Sequence, residues 1–189
     1  MVETAKRGEI NQKKEEYLMS LRQKLIDKFF YDSIFKKADF KTVLDVGSGN
    51  GKMIDYFKSR EKEVTAIDLE PTRKDIQKVD IFKNNFKDNS FDLIYSAHVI
   101  EHISEAEKFA KELLRISKKY VCIITPYPTI QFWDQPDHIR PYTPETLKRL
   151  FHLDETIKCF HISMPFFEPV SVILFEKKKS RIAKNKGGI

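Results

Sequence analysis

Short apolar runs and helical stripes alternate along most of this chain. Leu21, Leu25 and Phe29 recur every fourth position with Ile26 and Phe30 beside them, which predicts a helix within an N-terminal segment over 1–38. Thr42-Val43-Leu44-Asp45-Val46 is a brief apolar run stopped by Gly47, the pattern of a buried parallel strand and a tight turn. Lys52 to Ser59 reads as a helix with Met53, Ile54 and Phe57 facing inward. Further strands are expected at 64–67, ending before Asp68, at 78–81 and at 91–96. Glu105 to Ser117 has Phe109, Leu113 and Ile116 on one helical face, and Tyr120 to Thr125 is a fifth strand stopped by Pro126 and Pro128. After a Pro- and aromatic-rich loop, Thr143-Pro144-Glu145 reads as an N-cap with proline in the first turn. Two last strands, about 155–163 and 170–176, turn through Pro165 and suit an antiparallel hairpin. Strand alternating with helix and closing in a hairpin predicts an α/β fold: a mostly parallel sheet with helices on both faces.

A length of 189 residues suits one domain, here over 1–176, followed by a basic tail at 177–189 expected to be disordered. The chain is 41% hydrophobic with fifteen Phe and seven Tyr, enough for one real core. No apolar run approaches the roughly 18 residues of a membrane span. The charged, polar start at Met1 to Asn11 is unlike a secretory signal, so a cytoplasmic location and free thiols at Cys122 and Cys159 are expected. The formal charge of +6 leaves an anionic partner such as RNA open, but much of the excess lies between Lys177 and Lys186, where a Lys-rich surface is the plainer reading.

The chemistry concentrates at Val43-Leu44-Asp45-Val46-Gly47-Ser48-Gly49-Asn50-Gly51, between a strand and a helix. Ligands of doubly wound sheets sit at such carboxyl ends of strands. A dinucleotide site wants Gly-x-Gly-x-x-Gly, and here the third glycine comes one residue early, with Lys52 in its place. Met53 after Gly51-Lys52 rules out a phosphate-binding Gly-Lys-Ser/Thr loop. Asp68 closes the second strand 17 residues after Gly51, where a carboxylate can accept from both hydroxyls of a ribose.

The stretch from Val43 to Pro128 resembles the class I S-adenosylmethionine (SAM)-dependent methyltransferases, above all the broad group that includes many small-molecule methyltransferases. Val43 to Gly51 resembles their first motif. Ala66-Ile67-Asp68-Leu69-Glu70-Pro71 resembles their acidic second-strand end. Asp80-Ile81 with Phe86 to Ile94 resembles their adenine-side loop and fourth strand, and Ser96 to Ile103 the segment beyond it. Asp137 to Arg140 and Tyr142 to Glu145 resemble a late segment of the group. The resemblance implies a Rossmann-like seven-stranded sheet whose last strand is antiparallel, and SAM as cofactor. By position it implies that Asp45, Gly47, Ser48, Gly49 and Gly51 hold the methionine part, Asp68 the ribose and Leu69 the adenine face. It puts Asp80 on the adenine amino group with Ile81 beside the ring, and Ala97 and His98 at the transferring methyl. The chain departs from the family in a short link from Asp68 to Asp80, where the usual second helix is expected to be reduced or missing, and in Lys83-Asn84-Asn85 before the fourth strand.

Methyl transfer from a sulfonium is a direct displacement, helped mostly by alignment and by aromatic walls around the positive sulfur. If the acceptor must lose a proton, His98, His102 and His138 are the candidate bases, with His98 nearest the expected methyl. His98, Glu101, His102 and His138 also offer metal-type ligands. Some relatives hold a divalent ion with a related Glu–His element and many others carry it as structure; no metal is expected here. Tyr127, Phe132, Trp133 and Tyr142, with Asp134, Asp137 and Arg140, are expected to shape the acceptor site from the Pro-rich loop. A small-molecule acceptor is the leading expectation. An RNA (tRNA or rRNA) methyltransferase and a catalytically silent partner subunit are the alternatives.

Overall fold

The computed structural model describes residues 28–153, 159–163 and 169–177. The chain divides into two compact units, Met1–Asp39 and Phe40–Ile189. In the first, 28–35 is helical, with Phe30 and Tyr31 edge to face at 5.0 Å. Phe29 of the expected apolar stripe is exposed, and Leu21, Leu25 and Ile26 lie outside the described residues.

In the second unit, strands β1 (Thr42–Val46), β2 (Glu63–Asp68), β3 (Gln77–Lys78), β4 (Phe91–Ala97), β5 (Ser117–Pro126), β6 (Cys159–Ile162) and β7 (Val170–Glu176) form one sheet in the order β3-β2-β1-β4-β5-β7-β6. The first five strands pair in parallel, while β7 runs antiparallel to both β5 and β6. This is the Rossmann-like arrangement with an antiparallel last strand that the resemblance implies.

Among the described residues, three helices cover the sheet: α1 (Lys52–Lys58), α2 (Ala106–Ile116) and α3 (Pro144–Leu150). Successive strand residues point to opposite faces. Ala66 of β2 therefore meets Ile54 of α1 on one face, while Ile67 joins Phe109 and Leu113 of α2 and Leu147 of α3 on the other. Phe57 of α1 is fully buried, edge to face with Phe40 at 5.9 Å and Tyr95 at 5.6 Å. Such ring pairs contribute roughly 0.5–1.5 kcal/mol beyond burial. Thr143 caps α3 as the sequence predicts, in a reciprocal box with Thr146 and with Pro144 in the first turn. The thiol of Cys122 is free and buried, and burial pushes its pKa up.

Two boundaries differ from expectation. β3 ends at Lys78, because Asp80 turns its carboxylate back to accept from the Phe82 N–H at 2.9 Å and starts a 3-10 turn, Ile81–Lys83. The tail does not begin at Lys177. The Lys177 ammonium donates to Asn89 Oδ1 at 2.8 Å and to the carbonyls of Leu114 and Ser117 at 2.8 and 2.9 Å. The rest of the expected tail, 178–189, and the expected turn at Pro165 lie outside the described residues. No helix among the described residues is long and apolar enough to cross a membrane.

Candidate functional site

The central register sets Val46 beside Ile67 of β2 and Ser96 of β4. Gly47, Asp68 and Ala97, each at or just past one of these positions, therefore meet at a single edge of the sheet. The chain reaches β2 on one side of β1 and β4 on the other, so this edge is a topological switch point, where α/β sheets take their ligands.

The glycine turn is fixed from below and open above. Its N–H groups at Gly47 and Ser48 donate to the Ile67 carbonyl at 2.9 and 3.1 Å, and the Ser48 hydroxyl donates to the Asp45 carbonyl at 3.0 Å. Gly47 has φ +74°, and a Cβ there would strike Cγ2 of Val99. Gly49 has φ +52°, yet nothing lies within 4 Å of where its Cβ would be. Glycine is needed at 47 for close packing and at 49 for backbone shape, where it leaves open space above the turn.

Two carboxylates flank this opening. Asp68 Oδ2 accepts from the Gly49 N–H and Oδ1 from the Glu70 N–H, both at 2.9 Å. A carboxylate has about four acceptor positions, so two remain for a diol. Asp45 is buried, and its Oδ2 has no hydrogen-bond partner. Burial pushes its pKa up to about 7; a hydrogen bond with Ser48 opposes this, and the nearby charge of Asp68 adds a smaller upward push. An unpartnered buried carboxylate beneath an open turn fits a ligand that brings a cation, as the α-amino group of SAM does.

The adenine-side residues are placed less tightly. Leu69 is 61% exposed beside Asp68, an apolar surface free to be covered. Ile81 is buried in the core, and Asp80 holds its 3-10 turn through Oδ1, with Oδ2 3.8 Å from Lys83 Nζ. Arg115 fastens the loop that follows, donating to Asp88 Oδ1 at 2.6 Å and to the Phe86 carbonyl at 2.8 Å. Asn84 donates to Glu112 Oε1 at 2.6 Å, so the unusual Lys83-Asn84-Asn85 stretch is tied to α2.

Beyond β4, His98 takes φ +55°, a conformation few non-glycine residues adopt. Its N–H donates to the Ile124 carbonyl at 2.8 Å, while its ring is half exposed, with Nδ1 3.6 Å from Glu101 Oε1. The Pro-rich loop divides its aromatic residues. Phe132 and Tyr142 are buried in the protein and so leave the expected acceptor wall, whereas Trp133 is 62% exposed and Tyr127 stacks on His161 at 4.0 Å.

The sequence reading passed over Thr72 and Arg73. The link 69–76, where a reduced or missing helix is expected, has none and folds onto the glycine turn instead. Thr72 Oγ1 donates to the Gly49 carbonyl at 2.7 Å and Arg73 Nη1 to that of Gly51 at 3.0 Å. Arg73 also pairs with Asp55 at 2.8 Å and Asp75 at 2.9 Å, which hold its pKa above the usual value. The shortness of the link was the one available signal; nothing in its composition named these two side chains.

Residues 44–124 match the family model described as a methyltransferase domain. A SAM-dependent methyltransferase from Archaeoglobus fulgidus has a similar structure, with TM-score 0.65 and 18% identity over 79% of this chain and 94% of that one. So does the Burkholderia thailandensis 1,6-didemethyltoxoflavin-N1-methyltransferase, solved with bound 1,6-didemethyltoxoflavin and S-adenosylhomocysteine: TM-score 0.61 and 16% identity over 86% of this chain and 89% of that one. A third is the phosphoethanolamine N-methyltransferase 2 of Haemonchus contortus, in complex with SAM, at TM-score 0.56 and 18% identity over 68% of this chain and 37% of that one. The domain match lies on the very strands that build the glycine turn and its two carboxylates: over residues 44–124 the chain carries a methyltransferase domain, on the fold shared by SAM-dependent methyltransferases.

Proposed function

We propose that this protein transfers the methyl group of SAM to a small-molecule acceptor that enters beside His98 and Trp133. The observation that carries the reading is the buried, unpartnered Oδ2 of Asp45 beneath the open turn at Gly49, with Asp68 alongside. Asp45 and the turn from Gly47 through Ser48 and Gly49 to Gly51 bind the methionine end. Asp68 accepts from the ribose, and Leu69, Asp80 and Ile81 border the adenine. Ala97 and His98 line the path to the acceptor. SAM, once bound, supplies a methyl activated by its positive sulfur. The protein contributes alignment, exclusion of water and, where the acceptor is an acidic N–H or O–H, a place for the departing proton on His98. The toxoflavin and phosphoethanolamine enzymes favour a small acceptor by analogy of fold. The formal charge of +6 is what speaks for RNA, and tRNA therefore joins metabolites in the acceptor screen.

Calorimetric titration tests the cofactor. SAM is expected to bind at micromolar Kd and NADH to give no heat; silence with SAM would end the proposal. The same titration carries a pH signature. With its pKa near 7, Asp45 is mostly protonated at pH 6 and must ionise to meet the ammonium group, so binding releases a proton. Affinity should rise about tenfold from pH 6 to pH 8, and Asp45→Asn should flatten that rise. In the free protein the same raised pKa works in the other sense: stability falls as pH rises from about 4 to 7, because the folded state gives up a proton it prefers to keep.

His98→Asn is the informative variant at the acceptor side, since asparagine tolerates the positive φ that alanine resists. As a base, His98 is expected to be worth about 10²-fold or more in kcat. SAM affinity in the variant should stay within about threefold. An unchanged kcat on the acceptor found in the screen would reduce His98 to a wall of the cleft.

A further inference from the structure

We propose that Glu101, His102 and His138 form a binding site for one divalent transition-metal ion on the acceptor side of the cleft. One donor atom from each of the three lies within 4.8 Å of the others. The carboxylate of Glu101 is fully buried and already oriented: Oε2 accepts from the Thr125 hydroxyl at 3.0 Å. Its Oε1 is left without a hydrogen-bond partner. The nitrogens facing it, His98 Nδ1 at 3.6 Å and His102 Nε2 at 4.0 Å, stand too far for a hydrogen bond. A buried carboxylate oxygen is expensive unless it is paired or bound to a metal. Two ligands about 2.0–2.1 Å from a tetrahedral ion are roughly 3.3 Å apart, so donors that lie within 4.8 Å of one another close onto an ion by at most about 1.5 Å, a movement that side-chain rotation supplies.

Both imidazoles are prepared in the manner of ligands. His102 Nδ1 lies 3.1 Å from the Asp137 carbonyl and 3.2 Å from Asp137 Oδ2, and His138 Nδ1 lies 2.9 Å from the Phe132 carbonyl. A carbonyl only accepts, so each Nδ1 carries the proton and each Nε2 keeps a free lone pair. Ligating histidines are commonly oriented by this kind of outer hydrogen bond. The two rings lie 5.0 Å apart, and the Ile139 N–H donates to the Glu101 carbonyl at 2.8 Å, tying the loop that carries His138 to the turn that carries Glu101.

One carboxylate oxygen and two imidazole nitrogens suit Zn²⁺, Mn²⁺, Fe²⁺ or Co²⁺ and leave positions open for water or an acceptor oxygen. His98, which faces Glu101 Oε1 from the methyl side, is placed to reach a group bound there. That last step rests on the methyltransferase reading; metal binding does not.

The experiment uses the full chain stripped with a chelator and titrated calorimetrically with ZnCl₂ and with MnCl₂, then with SAM. One ion per chain is expected, with Kd weakened at least about tenfold by either His102→Gln or His138→Gln. SAM affinity should be intact in both variants, which also certifies their folding. Absence of metal binding in a wild-type chain that binds SAM overturns the metal site and leaves the cofactor reading standing. Metal affinity equal to wild type in both variants overturns it as well. Should a variant fail to fold, Zn²⁺ is expected to protect His102 and His138 of the wild-type chain from diethyl pyrocarbonate; unprotected rings would count against the site.

Discussion

An Asp68→Ala chain is expected to fold and yet to bind SAM at least about 10²-fold more weakly. Asp68 offers two unused acceptor positions at the mouth of the turn, and hydrogen bonds to a charged group are worth roughly 1.5–3 kcal/mol each. Two of them come to about 3–6 kcal/mol, where 1.4 kcal/mol is tenfold in Kd. The substitution also frees the N–H groups of Gly49 and Glu70, which stay near water and cost about 1 kcal/mol each in stability. Calorimetry and a thermal melt on one sample separate the two effects. Asp68→Asn keeps one acceptor and should fall between alanine and wild type. A folded Asp68→Ala protein with unchanged affinity would remove Asp68 from the ribose.

Gly47→Ala is expected to be the most damaging single methyl in the unit. The new Cβ would overlap the Val99 side chain, and φ +74° is disfavoured for any residue that has a Cβ. The backbone effect costs roughly 1–2 kcal/mol and the overpacking about 1–3 kcal/mol more. For a chain of this size the sum lowers Tm by roughly 5–20 °C. Adding Val99→Ala should restore the steric part alone, so the double variant should melt between Gly47→Ala and wild type. A Gly47→Ala protein that melts like wild type would mean that Val99 turns away freely and that the turn is looser than its hydrogen bonds suggest. Gly49→Ala provides the contrast: open space surrounds its Cβ position, so only the backbone effect is expected to reach stability.

Much of this was legible in the chain because it depends on local pattern. The run Thr42–Val46, the stripe Phe109, Leu113 and Ile116, and the cap at Thr143 each lie within one element, and each formed where its spacing said. The glycine turn and Asp68 were legible because strand, turn and acid follow one another at fixed distances. What escaped depends on contacts across the chain. Thr72 and Arg73 act on Gly49 and Gly51, more than twenty residues earlier. Phe132 and Tyr142 look like loop aromatics in sequence, but the body of the protein takes them in. Asp80 could pair along an edge or cap a turn, and with only Ile67 and Asp68 of β2 beside β3 the local cap prevailed. Glu101 gave no sign of complete burial, because its burial is made by β5 and the 137–140 loop together.

The glycine turn takes its shape from residues far apart in the chain. Gly49 is held by Asp68, 19 positions away, and Val46 by Ser96, 50 positions away. Parallel pairings of this span close slowly during folding. The turn is complete only after β1, β2 and β4 have all come into register. A ligand that recognises the finished turn meets nothing to bind in the collapsing chain. Its stabilisation then falls on the rate of unfolding, so the cofactor works as a kinetic brake on a protein already made rather than as a template for making it.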